Sequence, residues 1–232
     1  MDLASAIIGR AQTVSLPIVM SREINMKTRL ACLLVAVATL ILPDLAHACG
    51  SGAVQFADDF RNPDAGWSYN DHGKISGGAI TLMPVVNGGS AAYNTAYIFR
   101  DADVCVQIKL SDFTKPEQLN AGLIFWITDT HNFYTFCISP NGHWDIQRLA
   151  GSRWILISSG SSDAIKKGVG DLNEVEVRLA GNTGTGYVNG TKVVAFNGQP
   201  PEGGGYFGIN AESEKERTNI WEFHDFKILK PQ

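Results

Sequence analysis

The sequence predicts an all-β protein, a sandwich of two antiparallel sheets. Three observations carry that expectation. Apolar residues recur with period two, the signature of strands rather than helices. The 24 glycines among 232 residues supply turns for many short strands, and no convincing amphipathic helix interrupts them. The longest alternating run, Ala121 to Ser158, reads as four strands in a meander.

In that meander Leu123, Phe125 and Ile127 share one face of the first strand, and Tyr134, Phe136 and Ile138 one face of the second. Asp129 to Asn132 closes the first hairpin, and Pro140-Asn141-Gly142 the next, with Gly142 free to take positive φ. Trp144 and Ile146 continue the alternation, then Trp154 and Leu156, all expected in the core.

Upstream, Ser51 to Phe60 leads into a first strand, and the loop Arg61 to Trp67 anchors one tryptophan. Lys74 to Met83 predicts a hairpin about Gly77-Gly78, and Pro84 to Asn94 a loop. Ala96 to Leu110 carries two strand segments, the second with Val104, Val106 and Ile108 inward and Cys105, Gln107 and Lys109 outward. Phe113 to Asn120 is a surface loop, because Pro116 does not suit a central strand.

Downstream, Gly160 to Gly170 is a polar loop and Glu174 to Leu179 a strand. Gly186 to Val194 is a tight hairpin turning on Asn189-Gly190, the strongest local signal in the chain. Asn189-Gly190-Thr191 also matches a glycosylation sequon, but the turn has first claim on that asparagine. Gly203 to Asn210 and Asn219 to Leu229 are the last strands, giving roughly a dozen in two sheets.

Residues 1–48 are expected to stand outside this fold. Met26-Lys27-Thr28-Arg29 is a short basic region, Leu30 to Leu42 an apolar run, and Ala46-His47-Ala48 a cleavage site. Together they describe a bacterial-type secretory signal peptide with Met26 as the start and the cut after Ala48. Residues 1–25 then reflect a misassigned start or a short tolerated extension. The apolar run is shorter than the roughly 20 residues that span a bilayer, so no transmembrane segment is expected in the mature chain. The domain is 49–232, periplasmic or secreted. A lipid-modified Cys49 would want leucine three residues earlier, where Ala46 stands, so ordinary cleavage is expected.

Export places the remaining cysteines where disulfides persist. Cys105 and Cys137 both lie on the non-core phase of their strands. They could pair if those strands are neighbours, and would otherwise be free thiols, with Cys49 left over. The net charge of −4, with no basic cluster, offers no footprint for nucleic acid.

The order of motifs carries a resemblance. A DDF…GW opening, a GLIFW–NFY–ISPNGHW meander, NEVEVRL, YVNGTKV, GGYFGI and a closing FHDFKI resemble the concanavalin A-like lectin/glucanase superfamily over about residues 54–229. The nearer likeness is to laminin-G-like bacterial domains and to the secreted 3-keto-disaccharide hydrolase family. The resemblance implies a jelly-roll sandwich with a concave sheet, in a superfamily rich in sugar binders and glycan-cleaving enzymes. Fold alone does not transfer activity.

Glycoside hydrolysis usually needs two carboxylates about 5–9 Å apart. The superfamily's acidic triplet on one strand is missing, and His143 to Gln147 offers only Asp145, a weak catalytic candidate. Glu174 and Glu176 read as a solvated strand face. Asp58, Asp59 and Asp225, near chain ends that such folds bring together, are candidates for a structural calcium ion or simply cap strands and loops. The mature chain's histidines, His72, His131, His143 and His224, lack metal-ligand spacing, and no nucleophile-elbow or dinucleotide motif appears.

A sugar site needs an aromatic platform and convergent polar groups. If Phe125 faces the core, Trp126 faces outward, in phase with Thr135, His143, Asp145, Gln147 and Arg153 on neighbouring strands. Trp126 packed under a loop is the alternative. The expected function is an exported, non-catalytic domain binding a polysaccharide or cell-envelope glycan on a concave face. A glycoside or 3-keto-disaccharide hydrolase is the alternative, and an envelope protein-interaction domain the second.

Overall fold

A computed structural model describes residues 49–231. The expected signal peptide and the Met26 start lie outside these residues. Among the described residues there are fifteen strands: β1 (Val54–Asp58), β2 (Trp67–Tyr69), β3 (Gly73–Ser76), β4 (Ala79–Leu82), β5 (Gly89–Phe99), β6 (Ala102–Leu110), β7 (Ala121–Asp129) and β8 (Asn132–Ile138). They continue with β9 (His143–Ala150), β10 (Arg153–Ser161), β11 (Leu172–Ala180), β12 (Thr183–Val188), β13 (Thr191–Asn197), β14 (Gly205–Glu212) and β15 (Trp221–Leu229). A single 3-10 turn, Pro116–Gln118, interrupts the β6–β7 connection. No helix among the described residues is long and apolar enough to cross a membrane.

Every strand pairing is antiparallel. One sheet runs β13-β12-β11-β6-β15-β4-β3, with β1 also on β15; the other runs β10-β9-β8-β7-β14-β5-β2. Their inner faces meet in one core that includes Val104, Val106, Ile108, Val175 and Val177 from the first sheet and Leu123, Phe125, Phe136 and Ile146 from the second. The alternation read from the sequence is therefore the alternation of two half-buried sheets.

The predicted meander is present as β7 to β10, in consecutive neighbouring positions. Gly77-Gly78 turns β3 into β4 with φ of 66° and 84°, and Asn189-Gly190 turns β12 into β13 with 48° and 76°. Two successive positive φ values are what a right-twisted hairpin asks of a two-residue turn. The Asn189 amide is occupied as well. It donates to Ala164 O and Asn173 Oδ1 and accepts from Glu174 N–H.

The structure corrects the sequence reading in several places. Gly89 to Asn94 is the first half of β5 rather than a loop. Trp126 does not face outward: its φ is 52°, and the β7–β8 register slips between Phe125 and Asp129. One extra residue in a strand reverses the phase beyond it. Phe125 and Trp126 therefore both belong to the core, while Ile127 turns to the outer face. Trp126 is 1% exposed, and its indole N–H donates to Arg100 O at 2.8 Å.

The Cys105–Cys137 pairing is also corrected. Cys105 sits on the outer face of β6, and Cys137 on that of β8, in the opposite sheet. Outer faces of a sandwich point away from each other, so the two sulfurs lie on opposite sides of the core. Cys105 instead bonds Cys49, and Cys137 is a buried free thiol. The leftover cysteine is therefore Cys137 rather than Cys49.

Candidate functional site

The outer face of the seven-stranded sheet is built in rows. Register aligns Asn210 of β14, Gly122 of β7, Cys137 of β8, Asp145 of β9 and Ser159 of β10. Gly122 has no alternative, since a Cβ there would lie 1.9 Å from Phe136 O. Its bare backbone lets the Cys137 thiol reach across β7 to Asn210 Oδ1 at 3.4 Å. The next row aligns Tyr93, Gly208, Ile124, Thr135, Gln147 and Leu156.

A groove of about 460 Å³ runs along this face. Ile124, Ile127, Tyr93 and Asn210 line it, with Tyr69 from β2 on one side and Phe133 with Trp154 on the other. Phe133 and Trp154 meet edge to face, centroids 5.7 Å apart. Trp154 is 51% exposed, so its ring offers area to a ligand. Its expected core position is overturned by register: β10 is the edge strand, and pairing of Trp154 with Leu149 and Leu156 with Gln147 puts both on the outer face.

At Glu212 the groove meets a smaller pocket of about 140 Å³, lined by Asn120, Cys137, Ser139, Asn141, His143 and Asp145 among others. Two carboxyls share this corner. Burial pushes the Glu212 carboxyl up, the Asp145 charge pushes it further, and a hydrogen bond from Asn120 opposes both. Burial likewise raises Asp145, against the Gln147 amide that donates to its Oδ1 at 3.2 Å and the nearby His143. The Cys137 thiol is pushed well up by burial, then by Asp145 and Glu212, which keeps it protonated. Burial is the first cause for both acids, and the Asp145 charge adds to it at Glu212.

Of the predicted binding residues, Thr135, His143, Asp145 and Gln147 do share the outer face. Trp126 does not, for the reason given above. Arg153 pairs with Ala150, one residue out of phase with Trp154, so it belongs to the opposite face at the sheet edge. Glu212, Asn210, Tyr93, Tyr69 and Phe133 escaped the sequence reading. Asn210 and Glu212 alternate with buried Ile209 and Ala211, so extending the last part of β14 by two residues would have found the second acid.

The three calcium candidates do come close, because Asp58 pairs with Phe226 in the β1–β15 ladder. Asp58, Asp59 and Asp225 border one surface recess. Asp58, however, spends its oxygens on N–H donors: Phe60 N at 2.7 Å, Asp64 N at 2.8 Å and the Trp67 indole at 2.9 Å. It clamps the loop that anchors Trp67. Among the described residues no group of three or more His, Cys, Asp or Glu side chains is placed to hold a metal ion.

Comparisons with known proteins agree on the architecture. The carbohydrate-binding module CBM66 from Bacillus subtilis superposes with a TM-score of 0.59 at 14% identity, over 71% of this chain and 96% of that one. A Bacillus licheniformis β-glucanase gives 0.55 at 11% identity, over 78% and 100%. The carbohydrate recognition domain of Emp47p gives 0.59 at 11%, over 76% and 96%. At such identities the likeness is one of fold alone, a concanavalin A-like jelly-roll sandwich. A comparison with curated protein sequences finds no match. Residues 55–229 match the family described as the 3-keto-alpha-glucoside-1,2-lyase-like domain, and the chain belongs to that family.

Proposed function

We propose that this is an exported domain that binds a carbohydrate in the groove between Tyr69 and Trp154. One observation carries the reading: a half-exposed Trp154, backed edge-on by Phe133, faces a groove whose other lining groups include Tyr69, Asn70, Ser90, Asn210 and Glu212. Aromatic faces take the apolar side of a pyranose, and convergent amides, hydroxyls and carboxylates take its hydroxyls. The family's description and the sugar-binding neighbours support the same ligand class. The Cys49–Cys105 bridge supports placement outside the cytoplasm, where disulfides persist.

The test is a glycan array probed with Cys49–Gln232, with and without calcium. Retention on a defined glycan is expected, and Trp154→Ala should weaken it about tenfold, the scale of roughly 1.4 kcal/mol, with thermal stability unchanged. Retention insensitive to Trp154→Ala would rule out this groove. No retention on any glycan would favour a protein partner.

A second reading is favoured by the Asp145–Glu212 pair. In a 3-keto-α-glucoside the C2–H is acidified by the adjacent ketone. A carboxylate takes that proton, its electron pair forms the C1=C2 bond, and the C1–O bond breaks onto a leaving oxygen protonated by the other carboxyl. Turnover of a 3-keto-α-glucoside should be lost in both Asp145→Asn and Glu212→Gln. Because both acids are raised, the rate should rise with pH through the ionisation of the base and fall through that of the acid, on the neutral side of an ordinary carboxylate. Undiminished turnover in either variant would exclude the pair as the acid and base.

A further inference from the structure

The outer face of the eight-stranded sheet holds a second acidic cluster, remote from the groove. On it Glu176 of β11 lies opposite Cys105 of β6, and Arg178 opposite Asp103. The Cys49–Cys105 bridge ties the first described residues to this face. Gly50 N–H donates to Glu176 Oε1 at 2.9 Å. Arg178 donates to the same carboxylate through Nε at 2.9 Å and Nη2 at 3.3 Å, with its guanidinium 4.3 Å over the Tyr187 ring. Glu176 is thus fully served.

Asp103 is not. It is 2% exposed, and its Oδ2 has no partner. Burial, then the Glu176 charge, push its carboxyl up to about 6, against the pull of Arg178. A Cβ on Gly50 would sit 3.1 Å from Asp103 Oδ2 and 3.2 Å from Glu176 Oε1, so the backbone at residue 50 lies directly against this unpartnered oxygen. Farther along the face Glu222 takes Lys109 at 2.9 Å and lies 3.4 Å from His224, while Glu174 is raised to about 7 by burial and then Glu176, with Lys227 lowering it and Asp225 raising it. One guanidinium therefore faces two carboxylates, and the cluster is a cation short.

We propose that Asp103 is the seat of the α-ammonium group of Cys49, created when the chain is cut after Ala48. The proposal rests on the export reading above. In the cut, water adds across the Ala48–Cys49 peptide bond: hydroxyl goes to the carbonyl carbon and hydrogen to the Cys49 nitrogen. The amine then takes a proton from solvent, since its ordinary pKa is about 7.7–8.0. That nitrogen lies one residue before Gly50 N, no more than about 3.6 Å along the chain, and the disulfide holds its residue at the cluster. The uncut amide has no charge to offer there.

The sign follows from linkage. An α-amine whose folded pKa is raised contributes stability in full below its unfolded pKa, and loses it as pH rises through the folded value. In the uncut chain the raised Asp103 carboxyl has the matching cost: stability falls as pH climbs from the ordinary carboxylate range to about 6.

The fifteen strands of the described residues, their core and the disulfide lie within one compact unit, His47–Gln232, so the span can be studied alone. Two proteins are compared, one starting at Cys49 and one at Ala46, where the terminal charge is three residues away. The Cys49 form should melt about 3 °C higher at pH 7, with the gap closing once the amine is deprotonated. The pH dependence of amine acylation should place its pKa above about 8, and Asp103→Asn should return it to the ordinary value. An ordinary amine pKa in the wild-type Cys49 form, with equal melting of the two forms, overturns the seat. That pKa decides the matter even if Asp103→Asn does not fold. Mass analysis of the exported full chain tests the cut separately: a first residue of Cys49 is expected, and any other overturns the processing step.

Discussion

Trp126→Ala should cost about 4 kcal/mol of stability, within the range for deleting a fully buried tryptophan. The ring is 1% exposed and packs edge-on against Phe125 at 5.5 Å and Tyr134 at 5.3 Å. Tyr134 in turn stacks on Phe125 at 5.7 Å, and Phe125 tilts against Phe196 at 6.0 Å, so the indole belongs to a cluster spanning both sheets. Its N–H satisfies Arg100 O at the β5–β6 connection, and removal would orphan that carbonyl. The surroundings have little room to collapse, because Gly198 and the backbone of Gly205 already lie against residue 126. The strain of φ near 52° persists in alanine and offers no relief. A chain of this size loses about 2–4 °C of melting temperature per kcal/mol. Thermal unfolding should therefore show a fall of roughly 12 °C. A variant that kept its melting temperature but lost glycan binding would restore the outward-facing Trp126 that simple alternation predicts.

That case marks where the sequence stops being legible. Period-two patterning identifies which strands exist, because each has one face in the core and one in water. The Asn189-Gly190 and Gly77-Gly78 turns are legible because few other residues accept two positive φ values in succession. A bulge at a non-glycine has no such signature: nothing in AGLIFWITD distinguishes Trp126 from its neighbours, yet the phase reverses there. The same happens in β15, where Asp225 has φ 49° and Phe223 and Phe226, three residues apart, are both buried. The β7 reversal is why simple alternation puts Trp126, rather than Trp154, on the outer face. Trp154 was hidden differently, since Ile155 and Ile157 alternate with Trp154 and Leu156, and both phases of β10 are apolar. Only its register on β9, a tertiary fact, decides which set faces out. Sheet membership is equally nonlocal, and it settled the cysteines.

The disulfide supplies the second large effect. Cys49→Ala or Cys105→Ala should destabilise the domain by about 4 kcal/mol if the chain-entropy relation holds for this loop, since the bonded residues are 56 apart in sequence. The origin differs from that of Trp126. The tryptophan acts through folded-state packing, whereas the crosslink acts mainly by restricting the unfolded chain. Reductant should therefore lower the melting temperature of the wild type by roughly 12 °C and leave Cys49→Ala unmoved. Cys137 provides an internal control. Its thiol is buried on the other outer face and pushed well up, so it should resist thiol reagents until the protein unfolds. The native oxidised 49–232 protein should then show no reactive thiol and the denatured one a single thiol. Three reactive thiols in the oxidised denatured 49–232 protein, or a melting temperature indifferent to both reductant and Cys49→Ala, would mean that the Cys49–Cys105 crosslink does not hold the N-terminal segment on this face.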